Sequence, residues 1–169
     1  MILASCDLNG RTGHEAAWAL LEQTYRRAVG QPLPPTARTD RGKPYFLTGS
    51  WHFSLTHTRR HAFCVLSRRP VGIDAEELDR PIRPELAEKI LSPAEYAQFA
   101  RAEDPRQALL TFWVLKEAAA KQTGQGLQGF PNETNFALTD PRVIRLRGCL
   151  VAVVEEGSEC LEPEVIYAF

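Results

Sequence analysis

An excess of charge is missing from this sequence: 20 lysines and arginines stand against 21 acids, a formal net charge of −1. The field that accompanies general nucleic-acid binding is therefore absent, and any polyanion site has to be local. Long apolar runs are missing too. Nowhere do about 18 uncharged apolar residues stand together, so no membrane-spanning helix is expected. The opening MILASCDLNG carries only a short apolar run and no basic leader, and a soluble cytoplasmic protein is the expectation. Cys6, Cys64, Cys149 and Cys160 lie far apart, without the close pairs of zinc sites or the density of a disulfide framework. They are expected to be reduced and mostly buried. No G-x-S-x-G, H-E-x-x-H or G-x-G-x-x-G occurs, and no cysteine sits in a reactive-thiol motif.

What is present can build a core. With 44% hydrophobic residues the chain fits one domain or two tightly packed halves. Residues 2–6 read as a short strand, and DLNGRTG as a loop. Over 14–29, Ala17, Leu20, Leu21 and Ala28, with Trp18 and Tyr25, recur at helical spacing, and Gly30 stands at the C-cap. Pro32, Pro34 and Pro35 stop that helix. SWHFSLTH and HAFCVLS, joined by Thr58, Arg59 and Arg60, predict a hairpin that closes a first half, 1–69. The pattern restarts at Pro70 with the strand VGIDAE and a short helix over 84–91. SPAEYAQF follows, with an N-cap, proline-first and capping-box start at Ser92, Pro93 and Glu95. Residues 105–123 predict the strongest helix, whose Ala108, Phe112, Leu115 and Ala119 form a stripe toward a sheet, ended by Gly124 and Gly126. NFALT, RVIRL, CLVAVVEE and VIYAF read as strands. Strand, long helix, then strands occurs twice. The expected class is α+β: two similar halves, each a long helix on a small, mostly antiparallel sheet, the second spanning 70–169.

In VGIDAE, Asp74 and Glu76 are two apart on a strand, so both leave one face and can converge on one cation. Hard oxygen ligands on an apolar strand suit Mg²⁺. An arbitrary D-x-E is more often a strand end whose acids point into water. On the 105–123 helix, Trp113, Glu117 and Lys121 form one row at i, i+4, i+8. Glu117 can add a third carboxylate and Lys121 a cation, or the two are a surface ion pair. In DRGKPYF, Lys43 sits between a flexible glycine and a rigid proline, well held for a phosphate, without the remaining residues of a phosphate-cradling nucleotide loop. His57 ends the alternating run HFSLTH. It is a structural histidine, or part of a phosphate-binding corner with Lys43, Arg59 and Arg60.

Four blocks, GKP at 42–44, FSLTH at 53–57, VGIDAE at 71–76 and FWVLKEAAAKQTGQGL at 112–127, together resemble the 4'-phosphopantetheinyl transferase superfamily in order and spacing. IRPELAEKILSPAEYAQF, between the third block and the fourth, adds to the likeness, which runs from about Arg41 to Gly129. The resemblance to its larger, two-half members implies a pseudo-twofold α+β fold with coenzyme A between the halves, sufficient as a monomer. It implies Mg²⁺ held by Asp74, Glu76 and Glu117. Lys43 and His57 would meet the 3'-phosphate or adenosine end of coenzyme A, with Thr56 as a weaker neighbour, and Lys116 and Lys121 would lie near the diphosphate. The implied reaction moves 4'-phosphopantetheine onto a serine of an apo acyl or peptidyl carrier protein and releases 3',5'-ADP. Glu117, directly or through a metal-bound water, is the proton acceptor and Lys121 steadies the leaving oxygen. An acidic carrier would dock near Arg80, Arg83, Lys89, Ile90 and Leu91. The chain departs from the family pattern at Thr56, Thr58 and Ala75, and in lacking a basic cluster before the first helix, where only Arg11 and His14 stand. A Mg²⁺-dependent phosphohydrolase using the same acids, and a non-catalytic coenzyme A- or carrier-binding homologue, are the alternatives.

Overall fold

Alternate residues of β1 (Ile2–Asp7) serve two different cores. Ile2, Ala4 and Cys6 pack on Ala17, Leu20 and Leu21 of α1 (Gly13–Val29), whereas Leu3 faces the other way. The computed structural model describes residues 1–126, 135–161, 163 and 165–168. β1 lies inside a four-stranded sheet with β4 (His52–His57), β5 (His61–Ser67) and β9 (Val165–Ala168), in the order β4-β5-β1-β9. It runs antiparallel to β5 and parallel to β9. β2 (Thr36–Arg38) and β3 (Pro44–Phe46) form a small antiparallel pair beside it, which the proline-rich segment gave no periodicity to anticipate. The β4–β5 hairpin turns through Thr58, Arg59 and Arg60, as their polar character predicts.

The second sheet is antiparallel, in the order β6-β8-β7, from β6 (Val71–Glu77), β7 (Val143–Leu146) and β8 (Cys149–Glu155). α2 (Leu86–Ile90) and α3 (Pro93–Phe99) lead to α4 (Pro105–Thr123), which lies across β6 and β8. The stripe Ala108, Phe112, Leu115 and Ala119 is buried as its spacing predicts; Phe112 and Leu115 each contribute about 1.5–3 kcal/mol by leaving water. Ser92 with Glu95 forms the predicted capping box, and Gly124, in the left-handed region at φ 74°, ends α4.

The two sheets meet through the core that Leu3 faces. Leu3, Phe63 and Val65 press against Val71, Ile73, Ala75, Val151 and Val153. Odd-numbered residues of β6 therefore face the first sheet, and the even-numbered Gly72, Asp74 and Glu76 are left for α4. Gly72 makes the approach possible, because a Cβ there would sit 2.0 Å from the Ala118 carbonyl oxygen.

The mixed α+β class is as expected, with one long helix on each sheet. One local expectation is corrected. Asn135 to Thr139, expected as a strand, form no ladder: the Phe136 N–H donates to Glu95 at 3.0 Å and the Leu138 N–H to Gln98 at 3.1 Å, so α3 side chains take the bonds a strand needs. From beyond residue 70, β9 returns to pair with β1 in the first sheet. Leu127 and Gly129 of the expected family blocks, and Phe169 of VIYAF, lie outside the described residues.

Candidate active site

β4, β6 and α4 bring together most of the residues singled out above. Asp74 is buried, and its Oδ1 accepts from Thr56 Oγ1 at 3.0 Å and from Lys121 Nζ at 2.7 Å. Lys121 also lies 3.3 Å from Thr56 Oγ1. Both donors converge on one oxygen, and Asp74 Oδ2 is buried without a hydrogen-bond partner. Such an orphan costs free energy unless something else meets it. Glu76 is half-buried; Trp113 Nε1 donates to its Oε1 at 3.3 Å, and Arg80 forms an ion pair with the same oxygen. Glu117 stands one residue before Ala118, which touches β6 at Gly72. Burial raises its carboxyl above the usual glutamate range and the charge of Asp74 raises it further, against the lowering effect of Lys121 and Arg80.

Among the described residues, no three histidine, cysteine, aspartate or glutamate side chains already converge as a metal cage. Asp74 and Glu76 are instead held by Lys121 and Arg80. The donor chemistry still suits a hard divalent cation: three carboxylates from β6 and α4, one with an unpartnered buried oxygen and another raised by burial and then by its neighbour's charge.

Two cavities reach this cluster, one at Glu117 and the other at Glu76. One, of about 270 Å³, is lined by Lys43, Phe53, Leu55, Glu117, Lys121 and Gly124. The other, of about 700 Å³, is lined by Arg11, Gly13, His57, Arg59, Glu76 and Arg80. Lys43 caps the end of α4, donating to the Gln122 carbonyl oxygen at 2.7 Å, and burial pulls its ammonium below the usual lysine range. Arg41 likewise donates to the Gln125 carbonyl. His57 is exposed and lies against the first turn of α1, so close that a Cβ on Gly13 would reach its ring at 2.3 Å.

The phosphate corner expected from Lys43, His57, Arg59 and Arg60 is therefore divided. Lys43 and His57 line different cavities, and Arg59 and Arg60 are engaged by Glu77 and Asp79. Lys116 stands apart from these residues. It is 4% exposed and pairs at 2.9 Å with Glu95 of α3, which is wholly buried, so it is turned toward α3 and lines neither of the two cavities. One residue of α4 turns the side chain by about 100°, enough to separate Lys116 from Glu117. Of the expected carrier-docking segment, Arg83 and Lys89 are exposed, but Leu91 is buried.

Sequence reasoning missed two participants. The sequence places Arg80 on the expected carrier-docking face, and nothing local predicts its pairing with Glu76, because i, i+4 proximity belongs to helices and here a strand end and a turn bring the two together. The sequence marks Glu95 only as part of a capping box; its second role as partner of Lys116 has no local signature.

A family model described as the 4'-phosphopantetheinyl transferase superfamily matches residues 70–156, just over half of the chain and the segment that carries β6, α4 and the three acids. The chain belongs to that superfamily. It is 36% identical over 90 residues to a 4'-phosphopantetheinyl transferase of Bacillus subtilis, covering 51% of this chain and 39% of that protein. It is 38% identical over 80 residues to 4'-phosphopantetheinyl transferase psf-1 of Bacillus pumilus, covering 46% and 34%. With 4'-phosphopantetheinyl transferase HetI of Nostoc sp. the identity is 33% over 116 residues, covering 63% and 48%. The chain thus spans less than half the length of these curated relatives.

Proposed function

We propose that this chain transfers the 4'-phosphopantetheine group of coenzyme A to a serine of an apo acyl or peptidyl carrier protein, in the cytoplasm, and releases 3',5'-ADP. The observation that carries the reading is the facing of Asp74 and Glu76 on β6 toward α4, which bears Glu117 and Lys121, with an unpartnered Asp74 oxygen among them. Asp74, Glu76 and Glu117 would hold Mg²⁺, which when bound compensates the charge of the coenzyme A diphosphate.

The chain's own groups account for the remaining chemistry. The carrier serine Oγ bonds to the phosphorus that bears pantetheine, and the bond from that phosphorus to the oxygen of 3',5'-ADP breaks. Glu117 takes the serine proton; its raised affinity for protons brings it closer to the range where a carboxylate works as a base. Lys121, held by Asp74 and Thr56, presents its ammonium to the leaving phosphate oxygen. Thr56 keeps Asp74 Oδ1 occupied and so orients the carboxylate. Lys43 and His57 meet different parts of coenzyme A, which extends through both cavities. Arg83 and Lys89 offer an exposed basic face to an acidic carrier. The proposed acting form is the monomer.

The test is incubation of the chain with coenzyme A, Mg²⁺ and a panel of apo carrier proteins, read by mass spectrometry. Transfer adds one phosphopantetheine to a carrier; release of 3',5'-ADP without that gain marks a phosphohydrolase. Asp74→Ala is expected to remove transfer while the protein stays folded. Near-normal transfer by that variant would sink the assignment.

A further inference from the structure

Arg80 stands apart from the other cations near the acids. β6 ends at Glu77, and the chain folds back at once: the Arg80 N–H donates to the Glu77 carbonyl at 2.9 Å. The turn is pinned from α4, where Arg106 Nη1 donates to the Leu78 carbonyl at 2.6 Å and lies 3.3 Å from the Arg80 carbonyl. Its geometry brings the Arg80 guanidinium to Glu76 Oε1, and the same guanidinium lies 5.8 Å from the centre of the Trp113 ring. Trp113 in turn donates to Glu76 Oε1. Two elements thus fasten one carboxylate oxygen with a charged donor and a neutral one.

The other cation of the site works differently. Lys121 and Thr56 hold Asp74 Oδ1 and leave Oδ2 unpartnered, so a cation can meet Asp74 while Lys121 stays where it is. A guanidinium bound to Glu76 instead compensates the charge that a second cation would use, and it repels a dication at the same carboxylate. Arg80 also lines the 700 Å³ cavity with Arg11, His57 and Arg59. Arg59 is committed to Glu77 and Asp79, outside the proposed ligand set, whereas the carboxylate that holds Arg80 belongs to it.

We propose that Arg80 is an internal counter-ion of the metal position: it competes with the divalent cation for Glu76, and cation binding releases its guanidinium to the wall of the larger cavity. This rests on the reading of Asp74, Glu76 and Glu117 as ligands of a divalent cation. It assigns Arg80 a positioning role toward an anion in that cavity, set by whether Glu76 is occupied. The orphaned Asp74 oxygen is the independent sign that a cation is wanted there. Arg80 is 40% exposed on its side chain, so exchanging its head group leaves the core untouched.

The experiment is a Mn²⁺ titration of the whole chain without coenzyme A, following free Mn²⁺ by electron paramagnetic resonance and Trp113 by its fluorescence, with Trp113→Phe as the control for the other tryptophans. Removing the competing ion pair in Arg80→Gln is expected to tighten Mn²⁺ binding roughly three- to tenfold. Arg80→Lys, which keeps the charge, is expected to stay near the parent protein. Asp74→Asn is expected to abolish binding in both backgrounds. Unchanged or weaker Mn²⁺ binding by Arg80→Gln, with Asp74→Asn still abolishing it, overturns the competition and leaves the metal ligands standing. Equal tightening by Arg80→Lys also overturns it, because charge is then not the cause. Mn²⁺ binding that Asp74→Asn does not reduce removes the metal reading, and the role of Arg80 with it.

Discussion

Replacing Lys116 by Met separates a structural lysine from one that serves a cofactor. Glu95 is wholly buried and accepts from three donors: Lys116 Nζ at 2.9 Å, the Ser92 N–H at 2.8 Å and the Phe136 N–H at 3.0 Å. Removing one partner of a buried ion pair costs about 3–5 kcal/mol, because the remaining charge is stranded. Two N–H donors stay on Glu95 and Met fills much of the volume, so the lower end applies. Lys116→Met is expected to cost about 3 kcal/mol, roughly 6–12 °C in Tm for a chain of this size. The loss is read by urea unfolding with the folded baseline checked by circular dichroism. The double variant Glu95→Gln/Lys116→Met is expected to recover at least about half of it, since a neutral amide no longer strands a charge. Coenzyme A affinity of the folded fraction is expected to stay within about twofold of the parent, below the roughly 0.4 kcal/mol that factor represents. A Lys116→Met protein that melts like the parent but no longer binds coenzyme A would refute the reasoning and return Lys116 to the cleft.

Two further outcomes test the frame around the site. Burial works against an ionised Glu77, but the Arg59 guanidinium that donates to it and the Arg60 guanidinium paired with it overcome burial and hold its carboxyl at about 2, below the ordinary 4.5. A lowered folded-state value means stability that is complete above about pH 4.5 and lost as pH falls through about 2. The amount is at most about 3 kcal/mol, reduced by salt because both arginines are more than half exposed. Acid unfolding followed for the parent and Glu77→Gln is expected to be flatter in the variant over that window; identical curves would remove the ion pair as the cause. Gly72→Ala sets a Cβ 2.0 Å from the Ala118 carbonyl oxygen and 2.4 Å from the Gln122 nitrogen, both main-chain atoms that cannot swing aside. At least about 3 kcal/mol of destabilisation is expected by urea titration, with α4 driven off β6. A variant of parental stability would mean that the helix does not lie so close.

Local periodicity carried most of the fold. The stripe of α4, the capping box at Ser92, the β4–β5 hairpin and the shared face of Asp74 and Glu76 are consequences of 3.6- and 2-residue repeats acting within one segment, and each is present. Where bonding partners lie far apart in sequence, the reading had nothing to work from. The stretch 135–139 has strand-like composition, but Glu95 and Gln98, about 40 residues earlier, take its N–H groups. Strand β9 pairs with β1 from the other end of the chain, and neither strand states that preference alone.

By itself the sequence determined the chemistry available: the acids two apart on a strand, a glutamate and a lysine on one helical row, and four blocks that resemble the superfamily, two of them within the matched residues 70–156. Only the tertiary structure decided how those groups are shared. Lys116 and Glu117 are adjacent, yet one is absorbed by a buried glutamate and the other looks toward Asp74, because the direction from which β6 meets α4 is set by the closeness that Gly72 permits. Arg59, Arg60 and Arg80 are equally basic in sequence. The tertiary arrangement ties the first two to Glu77 and Asp79 and leaves the third on a proposed metal ligand, since a charge acts through distance in space and the chain order does not specify that distance.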